Sequence, residues 1–164
     1  VISTGRPKIR PANGIHEASV AMQIVHPLFE QLSFDATYQF LRLVPIESKL
    51  ELESFHNEKD LADSVFVILY GSVILRNRSL GSCPEILKLG DTFGEETFLN
   101  IPIERYRDSA FAVQHSAVAR ITDPVKQELI ATLRKMELLE DLQLLEDHFQ
   151  VQYYQKTTWR EQNQ

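Results

Sequence analysis

The sequence predicts a mostly β domain: a double-stranded β-roll of the jelly-roll type, with a helix before it and B/C-type helices after it. Three observations support this fold class. Residues 27–43 carry a helical pattern, the chain then changes to short apolar or alternating runs, and the helical period returns after Ile121. With 164 residues, 43% of them hydrophobic and 24% charged, the chain is long and apolar enough to fold around its own core.

We expect three parts along the chain. Residues 1–25 are predicted to form an extended arm or linker, because the first twenty hold two prolines and two glycines with little apolar periodicity. Residues 26–123 are predicted to form the roll with its leading helix, in which Ser33 is the N-cap and Asp35 favours the first turn. Residues 124–164 form a C-terminal helical segment.

The roll is predicted from short runs that are rich in β-branched and aromatic residues. Leu50–Glu53 alternates strictly between apolar and acidic residues, and Val65–Tyr70 is a continuous apolar run, typical of a strand buried on both faces. Further strands are predicted at Val73–Leu75, Ile86–Leu89, Phe111–Val113 and Ala117–Ile121. Several short strands at this spacing indicate a roll, sandwich or barrel.

After the last strand, Thr122 or Asp123 is placed to cap a helix that has Pro124 at its first position. An apolar stripe follows at helical spacing: Leu129, Ile130, Leu133, Met136, Leu139 or Leu142, Leu145 and Phe149. Two interpretations stay open, namely simple packing on the roll or a helix that moves or docks on a partner. Residues 155–164 are predicted to be a frayed end.

Charge and composition exclude several classes of function. The formal net charge of −6 argues against nucleic-acid binding, and no apolar stretch is long enough to span a bilayer. The single cysteine, Cys83, cannot form an internal disulfide, so we expect an intracellular, cytoplasmic compartment. The five histidines form no HxH or HxxxH pair, so no metal site is predicted, and no nucleophile or phosphate-loop motif is present. We therefore expect a non-enzyme without a cofactor.

Three stretches resemble the cyclic-nucleotide-binding domain family, in the family's order. Residues 27–33 (PLFEQLS) resemble its opening P-x-F-x-x-L-S, and residues 63–73 (DSVFVILYGSV) resemble its D-S-x-(F/Y)-(V/I)-(I/V)-L-x-G-x-V. Residues 89–99 (LGDTFGEETFL) resemble the G-(D/E)-x-F-G-E-x-(A/S)-L-L that begins its phosphate-binding cassette. The C-terminal helix is also loosely similar to that of kinase regulatory subunits.

The resemblance implies a cyclic AMP or cyclic GMP ligand. It implies that Glu95 accepts a hydrogen bond from the ribose 2′-hydroxyl, that Gly94 allows close backbone approach, and that a short helix from about residue 95 to 100 directs amides at the phosphate. Tyr153, Tyr154 and Trp159 are available to cover the base. The predicted ligand-binding residues are Phe93, Gly94, Glu95, Glu96, Thr97, Arg105, Arg107, Ser109 and Ala110.

The phosphate-binding arginine does not fall at the family's spacing. About nine residues after Glu95 the family has arginine, whereas this chain has Glu104. Arg105 and Arg107 are the two candidates; in an extended strand they share one face while residue 106 faces the other way. Glu96 adds a second carboxylate where the family generally has an apolar residue.

Two functions follow. The first is a regulatory domain that senses a cyclic nucleotide and moves its C-terminal helix. The alternative is a degenerate member of the same fold that acts as a ligand-free scaffold. It would bind a protein partner or adjoining domain through the 124–150 helix, the basic N-terminal arm or a face of the roll.

Overall fold

The computed structural model of the protein describes residues 12–77 and 84–162. Cys83 and the basic residues of the first eleven positions lie outside this range. Two helices come first: α1 (Ala12–Val25) and α2 (Phe34–Leu43). The extended arm predicted for residues 1–25 is therefore wrong over Ala12–Val25. The helix forms there because Ile15 and Ser19 are buried against α2, and packing compensates for the weak helical pattern.

The predicted N-cap of α2 is confirmed. Ser33 Oγ accepts a hydrogen bond from the Ala36 amide at 3.1 Å. The same cap residue is held from the far end of the chain, because Asp141 accepts hydrogen bonds from Ser33 N at 2.7 Å and from Ser33 Oγ at 2.8 Å. The start of α2 is thus tied to the C-terminal part of the protein.

Eight strands form two antiparallel four-stranded sheets, ordered β1-β8-β3-β6 and β2-β7-β4-β5. Their bounds are β1 (Ile46–Lys49), β2 (Ser54–His56), β3 (Ser64–Tyr70), β4 (Val73–Arg76), β5 (Glu85–Leu87), β6 (Thr92–Phe93), β7 (Ser109–Ala112) and β8 (Ser116–Thr122). The predicted fold class is confirmed.

The predicted strand at Leu50–Glu53 is wrong. This segment is a turn between β1 and β2, with Leu52 at φ 70° and the Leu50 and Leu52 side chains 63% and 75% exposed. Alternation alone could not separate a strand from a tight connection, because neither leucine has a layer to pack against.

Strand β3 of the first sheet is buried on both faces. Phe66 and Ile68 of β3 point into the roll, where Phe66 stacks on Phe93 with ring centroids 4.6 Å apart. Val65 and Val67 point the other way, into a second core shared with the helices. This arrangement explains the unbroken apolar run of β3, and it fills the roll with aromatic side chains.

Three helices complete the fold: α3 (Glu95–Phe98), α4 (Asp123–Lys135) and α5 (Leu139–Gln162). Thr122 is the N-cap of α4, without a side-chain hydrogen bond, and Pro124 is the second helical residue. The frayed end predicted for 155–164 is wrong through Gln162, because α5 continues and buries Lys156. Among residues 12–77 and 84–162, every helix is too short or too polar to cross a bilayer.

Candidate functional site

The candidate site begins where β6 meets α3. Gly94 is the N-cap of α3 and has a left-handed backbone, φ 78°. A Cβ added there would lie 2.5 Å from the Ser64 carbonyl oxygen. The backbone at Gly94 therefore approaches the backbone of β3 so closely that only glycine fits. The short helix predicted after Gly94 is confirmed over Glu95–Phe98.

Glu95 is buried, with 1% of its surface exposed. Its Oε2 accepts a hydrogen bond from Thr92 Oγ1 at 2.5 Å and lies 2.9 Å from Lys156 Nζ of α5. The two charged side chains are 2% and 3% exposed. The carboxylate that the resemblance assigns to a ribose hydroxyl is therefore already paired with a lysine of the same chain.

A closed ring of hydrogen bonds surrounds this ion pair. The Thr92 amide donates to Gln152 Oε1 at 3.0 Å, and Lys156 Nζ lies 3.3 Å from the same oxygen. Thr92 Oγ1 and Lys156 Nζ both contact Glu95 Oε2, which closes the ring. All four groups are buried, so the desolvation cost of the charges is offset by specific partners.

Two further contacts hold α5 on the roll. His148 Nε2 donates to the Gly90 carbonyl at 2.8 Å, and burial lowers the pKa of His148. At the other end, Arg160 Nη2 lies 2.5 Å from Asp108 Oδ2. His148, Gln152, Lys156 and Arg160 recur every four residues, so they form one polar face of α5 directed at the roll.

Neither candidate phosphate arginine faces inward. Arg105 is exposed, donates from Nη1 to the Lys59 carbonyl at 2.9 Å and lies 4.0 Å from Glu104. Arg107 is exposed as well. The inward position belongs to Tyr106, which is 7% exposed and stacks on His56 with ring centroids 3.8 Å apart.

Tyr106 is also fixed by the backbone of Ser64. Its hydroxyl donates to the Ser64 carbonyl and accepts from the Ser64 amide, both at 3.0 Å. Burial raises the pKa of Tyr106 to about 12, so the phenol stays neutral over the physiological range. The 105–107 segment lies outside the named strands, and its pairing with residues 59–62 places an uncharged aromatic side chain between two outward arginines.

The remaining predicted residues have structural partners. Phe93 and Ala110 are 1% and 0% exposed in the core of the roll, and Ser109 Oγ accepts from the Glu58 amide at 2.9 Å. Thr97 Oγ1 donates to the Gly94 carbonyl at 3.0 Å, and the Thr97 amide reaches the same carbonyl at 3.3 Å. The Thr97 amide, one of those that the resemblance directs at the phosphate, is thus used within α3.

The electrostatic character of the site is acidic. Burial raises the pKa of Glu85 and of Glu96, and each of the two also feels the charge of Glu95. The Lys156 and Arg160 charges lower the pKa of Glu85, and those of Arg160 and Arg107 lower that of Glu96. The acidic groups here are Glu85, Glu95, Glu96 and Asp108, and the buried or half-buried cations facing them come from α5.

Sequence reasoning missed the α5 residues because the 155–164 segment resembled a polar, frayed terminus. The usable signal was the spacing of Gln152, Lys156 and Arg160, which places three polar side chains on one helical face. Of the three aromatic candidates for covering a base, Tyr154 is 73% exposed, and Tyr153 borders a cleft between α3, α4 and α5.

The roll, its leading helix, α3 behind a left-handed glycine and the C-terminal helix pair together define the fold of a cyclic-nucleotide-binding domain. Comparison with solved structures agrees with this class. A putative cyclic nucleotide-binding protein from Geobacter metallireducens superposes with a TM-score of 0.58 at 19% identity, over 84% of this chain and 96% of that one.

Two other similar structures are regulators. The N-terminal domain of a transcriptional regulator from Streptomyces coelicolor gives a TM-score of 0.60 at 15% identity, over 81% of this chain and 91% of that one. The regulatory subunit of a cAMP-independent protein kinase A from Trypanosoma brucei gives 0.58 at 17% identity, over 89% of this chain and 50% of that one. No protein-family model matches the sequence, and the comparison with curated proteins gave no significant match. The predicted resemblance is confirmed at the level of the fold.

Proposed function

We propose that this chain is a non-catalytic interaction module of the cyclic-nucleotide-binding fold, in which the C-terminal helix takes the place of the nucleotide. The observation that carries the proposal is the buried ion pair between Lys156 and Glu95, 2.9 Å apart. The module is held in one arrangement by its own α5 and needs no small molecule to order that helix.

Competition for Glu95 supports this function. A ribose hydroxyl could reach the carboxylate only after Lys156 had left it. Removing one partner of a buried ion pair typically costs about 3–5 kcal/mol, which would weaken nucleotide affinity by roughly two to four orders of magnitude. A ligand that binds only a rare open state has its apparent affinity reduced by the population of that state.

The charge of the site supports the same conclusion. A cyclic phosphate is an anion, and it would enter a region that contains Glu85, Glu95, Glu96 and Asp108. Arg105 and Arg107, the side chains expected to neutralise it, are exposed. The same acidic surroundings favour the lysine and arginine that α5 supplies.

The fold neighbours are compatible with a ligand-independent role, since one of them belongs to a protein kinase A regulatory subunit described as cAMP-independent. By analogy we expect the helical surface of residues 124–150 to contact a protein partner or an adjoining domain. The net charge of −6 favours a protein over a nucleic acid as that partner.

Calorimetry and thermal-shift measurements with cyclic AMP and cyclic GMP test the proposal. We expect no saturable heat and no change in melting temperature up to about millimolar ligand, because occupancy near 100 Kd would stabilise the fold by about 2.7 kcal/mol. Cyclic nucleotide should also leave amide exchange in α5 unchanged. Saturable binding that disappears in Glu95→Ala would overturn the proposal.

One observation favours a second candidate, nucleotide sensing by displacement of α5. Gly94 keeps the left-handed start of α3, and Glu95 keeps a buried position beside it. This candidate requires that Lys156→Ala bind cyclic nucleotide more tightly than the unmodified chain does. If neither protein binds, the sensing function is excluded.

A further inference from the structure

The second sheet faces the roll interior with one side and has no helical layer on the other. The apolar core that the helices share with the first sheet includes residues of β3 and β8 but, within the described chain, none of β2, β4, β5 or β7. In β4 and β7, buried residues alternate with less buried ones. Because successive side chains of a strand point to opposite faces, the buried residues fill the roll and the others point outward.

Strand register aligns three of the outward side chains in one row. Ile74 of β4 lies opposite Ile86 of β5 on one side and Phe111 of β7 on the other. Ile86 is 58% exposed, and the other two are half-buried between their neighbours in the sheet. Neighbouring strands are about 4.8 Å apart, so the row spans about 10 Å, close to the diameter of one α-helix.

The end of β7 and the turn before β2 extend this row. Val113 follows Phe111 by two residues and therefore lies on the same face. The Leu52 amide donates to the Ala112 carbonyl at 2.8 Å, which places Leu52 beside this end of β7, and both Leu52 and Val113 are exposed. Contiguous exposed apolar side chains mark interaction surfaces. We call this surface the outer patch, and its members are Leu52, Ile74, Ile86, Phe111 and Val113.

Two exposed cations flank the outer patch. Arg76 lies two residues after Ile74 on the same side of β4, and Lys88 directly follows β5. Neither side chain forms an ion pair with another described residue. The outward positions of the four strands carry no carboxylate; they are Ser54, Ile74, Arg76, Ile86, Ser109 and Phe111.

The carboxylates near the outer patch do not neutralise these cations. Glu53 accepts a hydrogen bond from the Leu50 amide at 2.6 Å, within the turn before β2, where Glu51 is exposed. Glu85 is half-buried and feels the charges of Lys156 and Arg160 of α5. The face is thus apolar at its centre and basic at its rim, although the whole chain has a net charge of −6.

We propose that the outer patch binds an acidic amphipathic segment of a partner polypeptide. The apolar side chains of this segment cover the row, and its carboxylates pair with Arg76 and Lys88. Recognition of this kind reads an apolar helical face against an apolar surface, with charges at the rim setting the choice of partner. The assignment concerns a different surface from α4 and α5 and holds whether or not the chain binds a nucleotide.

Charge decides against two other occupants. A second copy would present the same two cations and no outward carboxylate, so a symmetric contact between two outer patches would bring like charges together. An anionic bilayer would gain the attraction of only two cations, while the net charge of −6 opposes approach to that surface.

The test is a titration of the full chain followed by amide chemical shifts, with a synthetic helical peptide as the probe. One helical face of the peptide is leucine and the other is glutamate; the control peptide has glutamine in place of every glutamate. We expect saturable shifts at Leu52, Ile74, Ile86 and Val113, with a Kd of roughly 0.1–1 mM for so small an interface. The glutamine peptide should bind at least about threefold more weakly, because it forms no ion pairs.

The variant Ile86→Thr, Val113→Thr should weaken binding of the glutamate peptide by at least about fivefold, because threonine suits a strand but removes apolar contact area. Val151→Thr, at a similarly exposed valine of α5, is the matched control and should leave binding unchanged. If the double threonine variant folds poorly, Arg76→Gln, Lys88→Gln provides a second test at exposed positions. It should lower the affinity of the glutamate peptide to that of the glutamine peptide.

The assignment would be overturned by an absence of saturable shifts, by equal affinities of the two peptides, or by shifts confined to the helices. Concentrating the chain alone should not produce the same shifts, since that result would assign the patch to a second copy. Phosphatidylserine vesicles should not produce them either, since that result would assign the patch to a membrane. The nucleotide titrations report on Glu95, so their outcome is distinguishable from this one.

Discussion

Lys156 Nζ lies 2.9 Å from Glu95 Oε2, in an ion pair that joins the last helix to the first residue of α3. The two residues are far apart in sequence, and both are almost completely buried. The pair therefore couples the position of α5 to the geometry of the cassette, and its removal should affect both.

Lys156→Met should lower the free energy of unfolding by about 3–5 kcal/mol, because it leaves the Glu95 carboxylate buried without its cation. Urea denaturation measures this change. Lys135→Met, at an exposed lysine of α4, is the matched control and should change stability by less than about 0.5 kcal/mol. The double variant Glu95→Gln, Lys156→Met should be more stable than Lys156→Met alone. Equal stability of the two lysine variants would contradict the importance of the pair.

Asp108→Asn should loosen the end of α5. The substitution removes the charge that pairs with Arg160, whose side chain is 21% exposed, so only a local loss is expected. Hydrogen exchange should become faster in residues 156–162 and stay unchanged in residues 139–147, which are held by Asp141 and the helical core. Asp147→Asn, on the solvent side of the same helix, is the control. Uniform acceleration along α5 would argue against separate anchoring of its two ends.

His26 should make stability depend on pH. Burial lowers its pKa from 6.5 to about 4, and its neutral ring donates from Nε2 to the Ile68 carbonyl while Nδ1 accepts from the Leu28 amide. The unfolded chain therefore binds the proton first, so the contribution of His26 is complete above pH 6.5 and is lost as the pH falls toward 4.

The expected loss from His26 is about 3 kcal/mol between pH 7 and pH 4. His26→Gln keeps hydrogen-bonding groups but does not titrate, so its stability should fall less steeply over that range in urea denaturation at stepped pH. His16→Gln, at an exposed histidine of α1, controls for the loss of an imidazole. Parallel curves for His26→Gln and the unmodified chain would exclude this role.

Gly94→Ala should destabilise the fold by at least about 2 kcal/mol. The left-handed backbone disfavours any Cβ, and the new methyl would lie 2.5 Å from the Ser64 carbonyl oxygen. Thermal and urea unfolding measure the change. Gly14→Ala, within α1, is the matched control and should leave stability unchanged or raise it by up to about 1 kcal/mol, since alanine favours helices.

Most of the fold could be predicted from the sequence, because its strands carry local signals. The run Val65–Tyr70 indicates a strand covered on both faces, and Ser33 is a cap that the structure confirms. Helix α1 could not be predicted, since its stability comes from packing on α2 instead of from a marked amphipathic pattern. The turn at Leu50–Glu53 was missed because the same alternation occurs in strands and in exposed connections.

The sequence predicted the cassette residues of the candidate site but not the residues of α5 that contact them. Gly94 and Glu95 stand in a local motif, so the sequence located them directly. The α5 residues of the site, Lys156 and Arg160, lie in a different part of the chain. No local sequence pattern predicts with which carboxylate each of them forms an ion pair. The inward position of Tyr106 depends on how the 105–107 segment pairs with residues 59–62, which a count of residues cannot fix to one position.

The junction at residues 136–138 leaves the two ends of α5 attached to different parts of the protein. Glu137 has φ 59° there, which separates α4 from α5, while Asp141 ties the first turn of α5 to Ser33. The polar contacts to the roll described above come later, from His148 onward. If α5 detaches from the roll, we therefore expect its C-terminal end, with Arg160, to leave first while its N-terminal end stays bound to Ser33. A partner that binds the C-terminal end of α5 would then control access to Glu95.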